Sequence, residues 1–141
     1  MYQKIIIVGN LGGDPEMRYM PDGTAVTNFS VASNRRWTDG ATGQPRDETT
    51  WFRVSVWRKQ AETVNQYLSK GSKVLVEGRL RPDPASGGPR TYTRQDGTVG
   101  ASYEITADTV RFLSSREEDA SYSDDDSYEG EPAAEEDDIP F

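Results

Sequence analysis

Thr50-Trp51-Phe52-Arg53-Val54-Ser55-Val56-Trp57-Arg58 alternates with a period of two. Phe52, Val54 and Val56 form one apolar row, and Trp51, Arg53, Ser55 and Trp57 form the other. A strand sends successive side chains to opposite faces, so this is a strand with one face in a core. Its second row is unusual for a solvated face, because two Trp flank an Arg. The segments around it read as its partners. Upstream, Val26 to Trp37 puts Phe29 and Val31 on one side and Asn28, Ser30 and Ala32 on the other. Asp39 to Glu48, with Gly40, Gly43 and Pro45, reads as a polar loop between the two. At the start of the chain, Tyr2 to Leu11 carries Ile5-Ile6-Ile7-Val8. That run is too short for a buried helix and rich in β-branched residues, so it predicts a strand apolar on both faces. One face lines a core; the other calls for a second cover, such as another subunit. Gly12-Gly13-Asp14-Pro15 ends this strand, and Pro21-Asp22-Gly23 predicts a turn.

Downstream, Ala61, Val64, Tyr67 and Leu68 recur at helical spacing and predict a helix over Gln60–Leu68, with Gly71 as a stop signal. Lys73 to Arg81 reads as a fourth strand through Val74, Leu75 and Val76. Residues 82–101, rich in Pro and Gly, read as a long hairpin loop before a fifth strand from Tyr103 to Leu113. Three strands, a short helix and two strands predict an all-β OB-fold, a five-stranded Greek-key barrel with one short helix between strands 3 and 4. Periodicity alone also admits another small β-barrel.

The 141 residues suit one domain, 1–114, plus an appendage, and the 33% hydrophobic content is low for a chain folded throughout. Residues 115–136 are dominated by Glu, Asp, Ser, Ala, Gly and Pro, and predict a disordered acidic linker. Asp137-Asp138-Ile139-Pro140-Phe141 then closes the chain with an acidic-hydrophobic tip. The net charge of −8 hides an asymmetry: all 16 Lys and Arg lie at or before Arg116 with 12 of the 24 acids, leaving that stretch at +4 and the remainder at −12. A basic body is compatible with a polyanion. There is no Cys and no His, which removes thiolate metal sites, disulfides and the commonest general base. No cofactor, metal or catalytic residue is expected. No apolar run has membrane-spanning length and no signal-peptide pattern opens the chain, so a cytoplasmic, nucleoid-associated protein with no membrane partner is the expectation.

Several local stretches coincide with one family: Val8-Gly9-Asn10-Leu11-Gly12, Asp14-Pro15-Glu16, Arg18-Tyr19-Met20-Pro21 with Gly23, Trp51-Phe52-Arg53-Val54, Tyr67-Leu68-Ser69-Lys70-Gly71-Ser72, Val76-Glu77-Gly78-Arg79-Leu80 and the tip. On these the chain resembles the bacterial single-stranded DNA-binding protein (SSB) family. The resemblance implies an OB-fold, usually a homotetramer, that coats single-stranded DNA during replication, recombination and repair. It also implies enzymes of those processes as partners of the tip residues Asp137, Asp138, Ile139, Pro140 and Phe141. A terminal aromatic offers a partner an apolar group and a carboxylate together, and the two Asp suit a basic rim.

Binding of single strands without sequence preference needs aromatic faces for bases and cations along the phosphates. By resemblance, Trp37 and Trp51 stand at stacking positions, and Trp57 stands where the family usually has Phe. The opposing reading, that these Trp are core residues, is strongest for Trp37, whose parity matches Phe29 and Val31; a bulge or strand end would free it. The phosphate candidates are Arg18, Arg35, Arg36, Arg53, Lys59, Lys70, Lys73, Arg79 and Arg81, with Arg35-Arg36 beside Trp37 the best cluster. The familiar members carry a further Trp just after the fourth strand; Pro82-Asp83-Pro84-Ala85-Ser86 has no aromatic there, and Tyr92 is the nearest substitute. Phe52 replaces a His found in some members near a subunit contact. Two rival classes remain: an OB module for RNA or complex assembly, and a metal-dependent nuclease using Asp124-Asp125-Asp126 or Asp137-Asp138. The second conflicts with the need for rigidly placed ligands. Gly9 to Gly13 lacks phosphate-loop spacing.

Overall fold

A computed structural model describes residues 1–113; the linker at 115–136 and the tip at 137–141 lie outside the described residues. The elements are β1 (Ile5–Leu11), β2 (Glu16–Tyr19), β3 (Ala25–Thr38), β4 (Pro45–Trp57), α1 (Lys59–Tyr67), β5 (Lys73–Leu80), β6 (Arg90–Thr93) and β7 (Val99–Phe112). The strands follow the order β1-β5-β7-β4-β3-β2, and β1 also pairs with β3. That last pairing, Asn10 with Ala32 and Leu11 with Val31, closes five strands into a barrel. One pair, β4 with β7, is parallel, and the helix sits between the third and fourth barrel strands. The predicted fold class is borne out.

The alternations read from the sequence make the core. Val31, Val54, Val56, Val64, Val74, Val76 and Ile105 are fully buried, with Ile7, Leu11 and Phe29 close behind. Each such side chain contributes roughly 1.5–3 kcal/mol on leaving water. Helix α1 plugs one end of the barrel with Ala61, Val64 and, just after it, Leu68. Thr27 Oγ1 donates to the Ala61 carbonyl at 2.7 Å and ties the plug to β3. The turn into α1 places Arg58 at φ 64°, ψ −138°, the one described non-glycine residue with positive φ. On β1, Ile7 and Leu11 face inward, while Ile6 and Val8 remain 59% and 42% exposed. A strand apolar on both faces was expected, and its outer face is uncovered in a single chain.

Three boundaries differ from expectation. The polar loop Asp39–Glu48 shrinks to a turn over 39–44, because β3 and β4 stay paired out to Thr38 with Pro45. Cross-strand pairing there overrides the absence of an apolar pattern. The turn is closed by Asp39, whose carboxylate accepts from the Ala41 amide at 2.9 Å and pairs with Arg46 at 3.3 Å. Within 82–101, Pro and Gly mark two tight turns rather than one long loop, and β6 pairs Arg90–Thr93 with Val99–Ser102 between them. The short polar strand β2 gives no periodic signal and lies at the sheet edge against β3.

Candidate nucleic-acid interface

The outward row of β4 lies in register with β3: Trp51 beside Ala32, Arg53 beside Ser30, Ser55 beside Asn28 and Trp57 beside Val26. These positions are not equivalent. Trp51 is 54% exposed and Arg53 is exposed. Ser55 faces the same way yet is buried, its hydroxyl donating to Asn28 Oδ1 at 2.6 Å. Trp57 is half-buried next to a buried Val26. Arg18 on β2 is the other register neighbour of Val26, so Arg18, Val26 and Trp57 form one row across three strands.

Trp51 stands between two hollows. One, of about 350 Å³, is lined by Gly12, Gly13, Asp14, Glu16, Asn28, Phe29, Ser30, Trp51 and Arg53. The other, of about 520 Å³, runs from Ser30, Trp51 and Arg53 to Tyr92, Ser102 and Tyr103. Trp51, Arg53 and Ser30 belong to both, so the hollows form one continuous groove. Gly12 fixes the ring's place in it: a methyl group built there would lie 2.5 Å from Trp51 Cζ3 and 2.8 Å from Cη2. A Cβ there fits only if the ring moves, and the Gly12 amide is itself held by the Ser30 carbonyl at 3.0 Å.

Beyond the barrel, β3 and β4 continue as an arm. It carries Trp37, 38% exposed, with the Arg35 guanidinium 4.8 Å from the ring centroid. The parity that would turn Trp37 inward has no consequence here, because no core lies behind the arm. Arg36 is paired with Asp47 at 3.5 Å, and both line a hollow of about 530 Å³ with Trp37 and Arg46. On β6, Tyr92 is 50% exposed, and its ring tip lies over Gly100, where a Cβ would come within 2.6 Å of Cζ. Arg94 stands 5.6 Å from the Tyr92 centroid. The turn beyond is held by Asp96, which accepts from the Thr98 hydroxyl at 2.6 Å and the Thr98 amide at 3.0 Å. Those bonds keep its carboxyl below the usual carboxylate value of 3.8.

The remaining predicted cations divide. Arg81 borders the groove: its amide donates to the Glu104 carbonyl at 2.8 Å, and Glu104 is the register neighbour of Arg53. The Glu104 carboxylate also pairs with Arg90 at 3.0 Å. Lys70 does not line the first hollow; its backbone amide donates to Oδ1 of Asp14, which does, at 2.9 Å. Arg79 lies elsewhere, 3.9 Å from Asp108 in a hollow shared with residues 1–4. Lys59 lines a separate depression against Val110–Leu113, and Lys73 lies near it, its carbonyl accepting from the Leu113 amide. Residues that the sequence reading did not assign to the site are Gly12, Asn28 and Tyr103. Nothing local marks Gly12 or Asn28, and Tyr103 has the parity of Ile105 and so reads as core.

Among the described residues no cluster of three or more His, Cys, Asp or Glu could hold a metal ion, and no helix is long and apolar enough to cross a membrane. A cleft with exposed aromatic rings and Arg, and without a rigid acid cluster, is suited to holding planar rings joined by anions.

Comparisons with known proteins agree with this chemistry. Residues 2–113 match the Single-strand binding protein family. Single-stranded DNA-binding proteins of Neisseria meningitidis serogroup A and serogroup B are each 42% identical over 117 residues, which is 83% of this chain. The chain spans 63% of the length of those two relatives. Among solved structures, that of a Plasmodium falciparum SSB complex with ssDNA superposes with a TM-score of 0.64 at 25% identity, covering 81% of this chain and 96% of that one. A small single-stranded DNA-binding protein from Streptomyces coelicolor gives 0.64 at 28% identity, covering 79% and 94%.

Proposed function

The chain belongs to the single-strand binding protein family, and from that premise we propose that its barrel binds single-stranded DNA without sequence preference, along the groove that passes Trp51. The observation that carries this reading is Trp51 itself: a half-exposed ring, braced by Gly12 and flanked by Arg53, between two confluent hollows. Bases stack on the ring whatever their identity, because each has a π-face, and Arg53 meets the phosphate between them. Trp37 with Arg35 and Arg36 extends the path along the β3–β4 arm, Tyr92 and Arg81 extend it the other way, and Trp57 with Arg18 flanks it. Lys70 lies behind Asp14 at the edge of the first hollow and is the next cation within its neighbourhood. Lys59, Lys73 and Arg79 serve only if the strand wraps past the groove. A duplex presents no free base faces, so single strands are favoured.

The protein then protects exposed strands during replication, recombination and repair, in the cytoplasm with the nucleoid. The exposed Ile6 and Val8 on β1 suit self-association, with a homotetramer the expected assembly. The tip at 137–141 recruits enzymes of DNA metabolism, reached across the acidic linker at 115–136. Fluorescence titration with oligo-dT tests the DNA reading. Trp51→Ala is expected to weaken binding roughly 5- to 150-fold, from about 1–3 kcal/mol per stacked base. Binding of wild type is expected to weaken steeply with salt. Unchanged affinity in Trp51→Ala, or equal affinity for a duplex, contradicts the assignment. A matched RNA in the same assay separates a DNA coat from an RNA module.

A further inference from the structure

We propose that the hollow between β4 and the β6–β7 hairpin is a second nucleobase subsite, with Tyr103 as its stacking face. The proposal rests on the reading of Trp51 above and extends it to a residue that the sequence pattern assigns to the core. In β7, Ile105 and Ala107 point into the barrel and are buried, and Tyr103 shares their parity. Yet Tyr103 is 60% exposed, because the core ends at Ile105 and the strand runs on past the mouth of the barrel. Its ring is not loose. The Phe52 ring, on its register partner, backs it at 5.9 Å between centroids with a tilt of 42°. A ring already held on one side loses little conformational freedom when a second ring stacks on it.

The surroundings specify the occupant. Tyr103, Tyr92 and Trp51 are the large aromatic residues on the walls of this hollow, with Phe52 behind. Arg53 enters it from the Trp51 side, and Glu48 on the rim is the register neighbour of Arg35. Tyr92 lies over Gly100 as Trp51 lies over Gly12, so both rings pack on bare backbone. Aromatic walls with one Arg between them match a base and its attached phosphate. A strand leaving Trp51 past Arg53 enters this hollow without crossing the barrel, because the two hollows share those residues. The occupant is therefore the next part of the same single strand.

The experiment uses the full chain and oligo-dT long enough to pass both hollows. Tyr103→Ala is expected to lose affinity roughly 5-fold or more, and Tyr103→Phe, which keeps the ring, is expected to retain it. Tyr67→Ala removes a ring that is 57% exposed and packs on Phe112 away from the groove, and is expected to bind as wild type. In Tyr103→Trp, on a background with Trp37, Trp51 and Trp57 changed to Phe, emission is expected to be quenched by oligo-dT; this signal requires no loss of stability. Trp51→Ala is titrated alongside. If Trp51→Ala weakens binding while Tyr103→Ala does not, the second subsite is wrong and the groove stands. If neither weakens binding, the groove itself is wrong. If Tyr103→Ala weakens binding only together with a fall in mass by light scattering, Tyr103 belongs to a contact between copies and the proposal is overturned.

Discussion

Gly12→Ala isolates the placement of the Trp51 ring from its presence. The added Cβ would lie 2.5 Å from Cζ3 and 2.8 Å from Cη2 of Trp51. Non-bonded carbons settle at about 3.5–4.0 Å, so one partner must withdraw by about 1 Å or more. The Gly12 backbone is poorly placed to yield, because its amide bonds the Ser30 carbonyl and the preceding Leu11 amide bonds the Ser72 carbonyl. The exposed indole therefore moves, and it moves along the groove. A stacked base is worth about 1–3 kcal/mol, which caps the loss at that of removing the ring. We expect Gly12→Ala to weaken oligo-dT binding by roughly 3- to 30-fold, a fraction of that cap. The neighbouring Gly13→Ala is the control, since a Cβ there meets nothing within 4 Å. The decisive measurement is a double-mutant cycle in the fluorescence titration. If Gly12→Ala acts only by displacing the ring, it adds nothing in a Trp51→Ala background. A Gly12→Ala protein that binds as wild type, or whose loss adds in full to that of Trp51→Ala, refutes the argument.

Three further outcomes follow from other parts of the molecule. Arg58→Gly is expected to raise stability by about 1 kcal/mol in urea unfolding, because relief of about 1–3 kcal/mol of positive-φ strain exceeds the roughly 0.5–1 kcal/mol entropic cost of Gly; a less stable variant contradicts this. Asp96 has its carboxyl pKa lowered by the Thr98 hydroxyl and amide, so its contribution is fully present above the unfolded value near 3.8 and is lost as pH falls through the lower folded value. The Thr98 amide resonance is thus expected to titrate with its midpoint below 3.8; a midpoint above 3.8 contradicts the assignment. Deleting 137–141 is expected to abolish capture of replication and repair enzymes with DNA binding retained, and deleting 117–141 to tighten DNA binding at low salt; unchanged behaviour in both would make the tail a solubilising appendage.

The barrel was legible wherever burial imposed alternation. Phe52, Val54 and Val56 announced β4, and Ile5 to Val8 announced β1 together with its unsatisfied outer face. Legibility failed where pairing rather than burial makes the strand. Residues 45–48 carry no apolar row, so the β4 half of the arm read as part of a loop although its ladder with β3 is continuous to Pro45. The candidate site was legible in part. The outward placement of Trp51 and Arg53 followed from parity, while the stacking role of Trp51 came from the family resemblance. Parity misled for Trp37 and Tyr103, which share the phase of core residues but stand past the ends of the core. It also says nothing of depth on the outer face, where Ser55 is covered and Trp57 half-covered. Gly12 was out of reach, because its contact with Trp51 joins positions far apart in the chain.

The position of β7 in the barrel has a consequence in time. It pairs with β4, β5 and β6, yet it is the last described strand to leave the ribosome. Until it docks, β4 and β5 each have an open edge, and only the β3–β4 and β2–β3 hairpins are local enough to form early. Synthesis is vectorial, so every nascent chain passes through a stage with two unpaired edges and an exposed row of Val. A chain stalled or cleaved before Ile105 has no way to leave that stage alone. Aggregation of prematurely ended chains, rather than a partly active barrel, is the fate this topology assigns to incomplete synthesis.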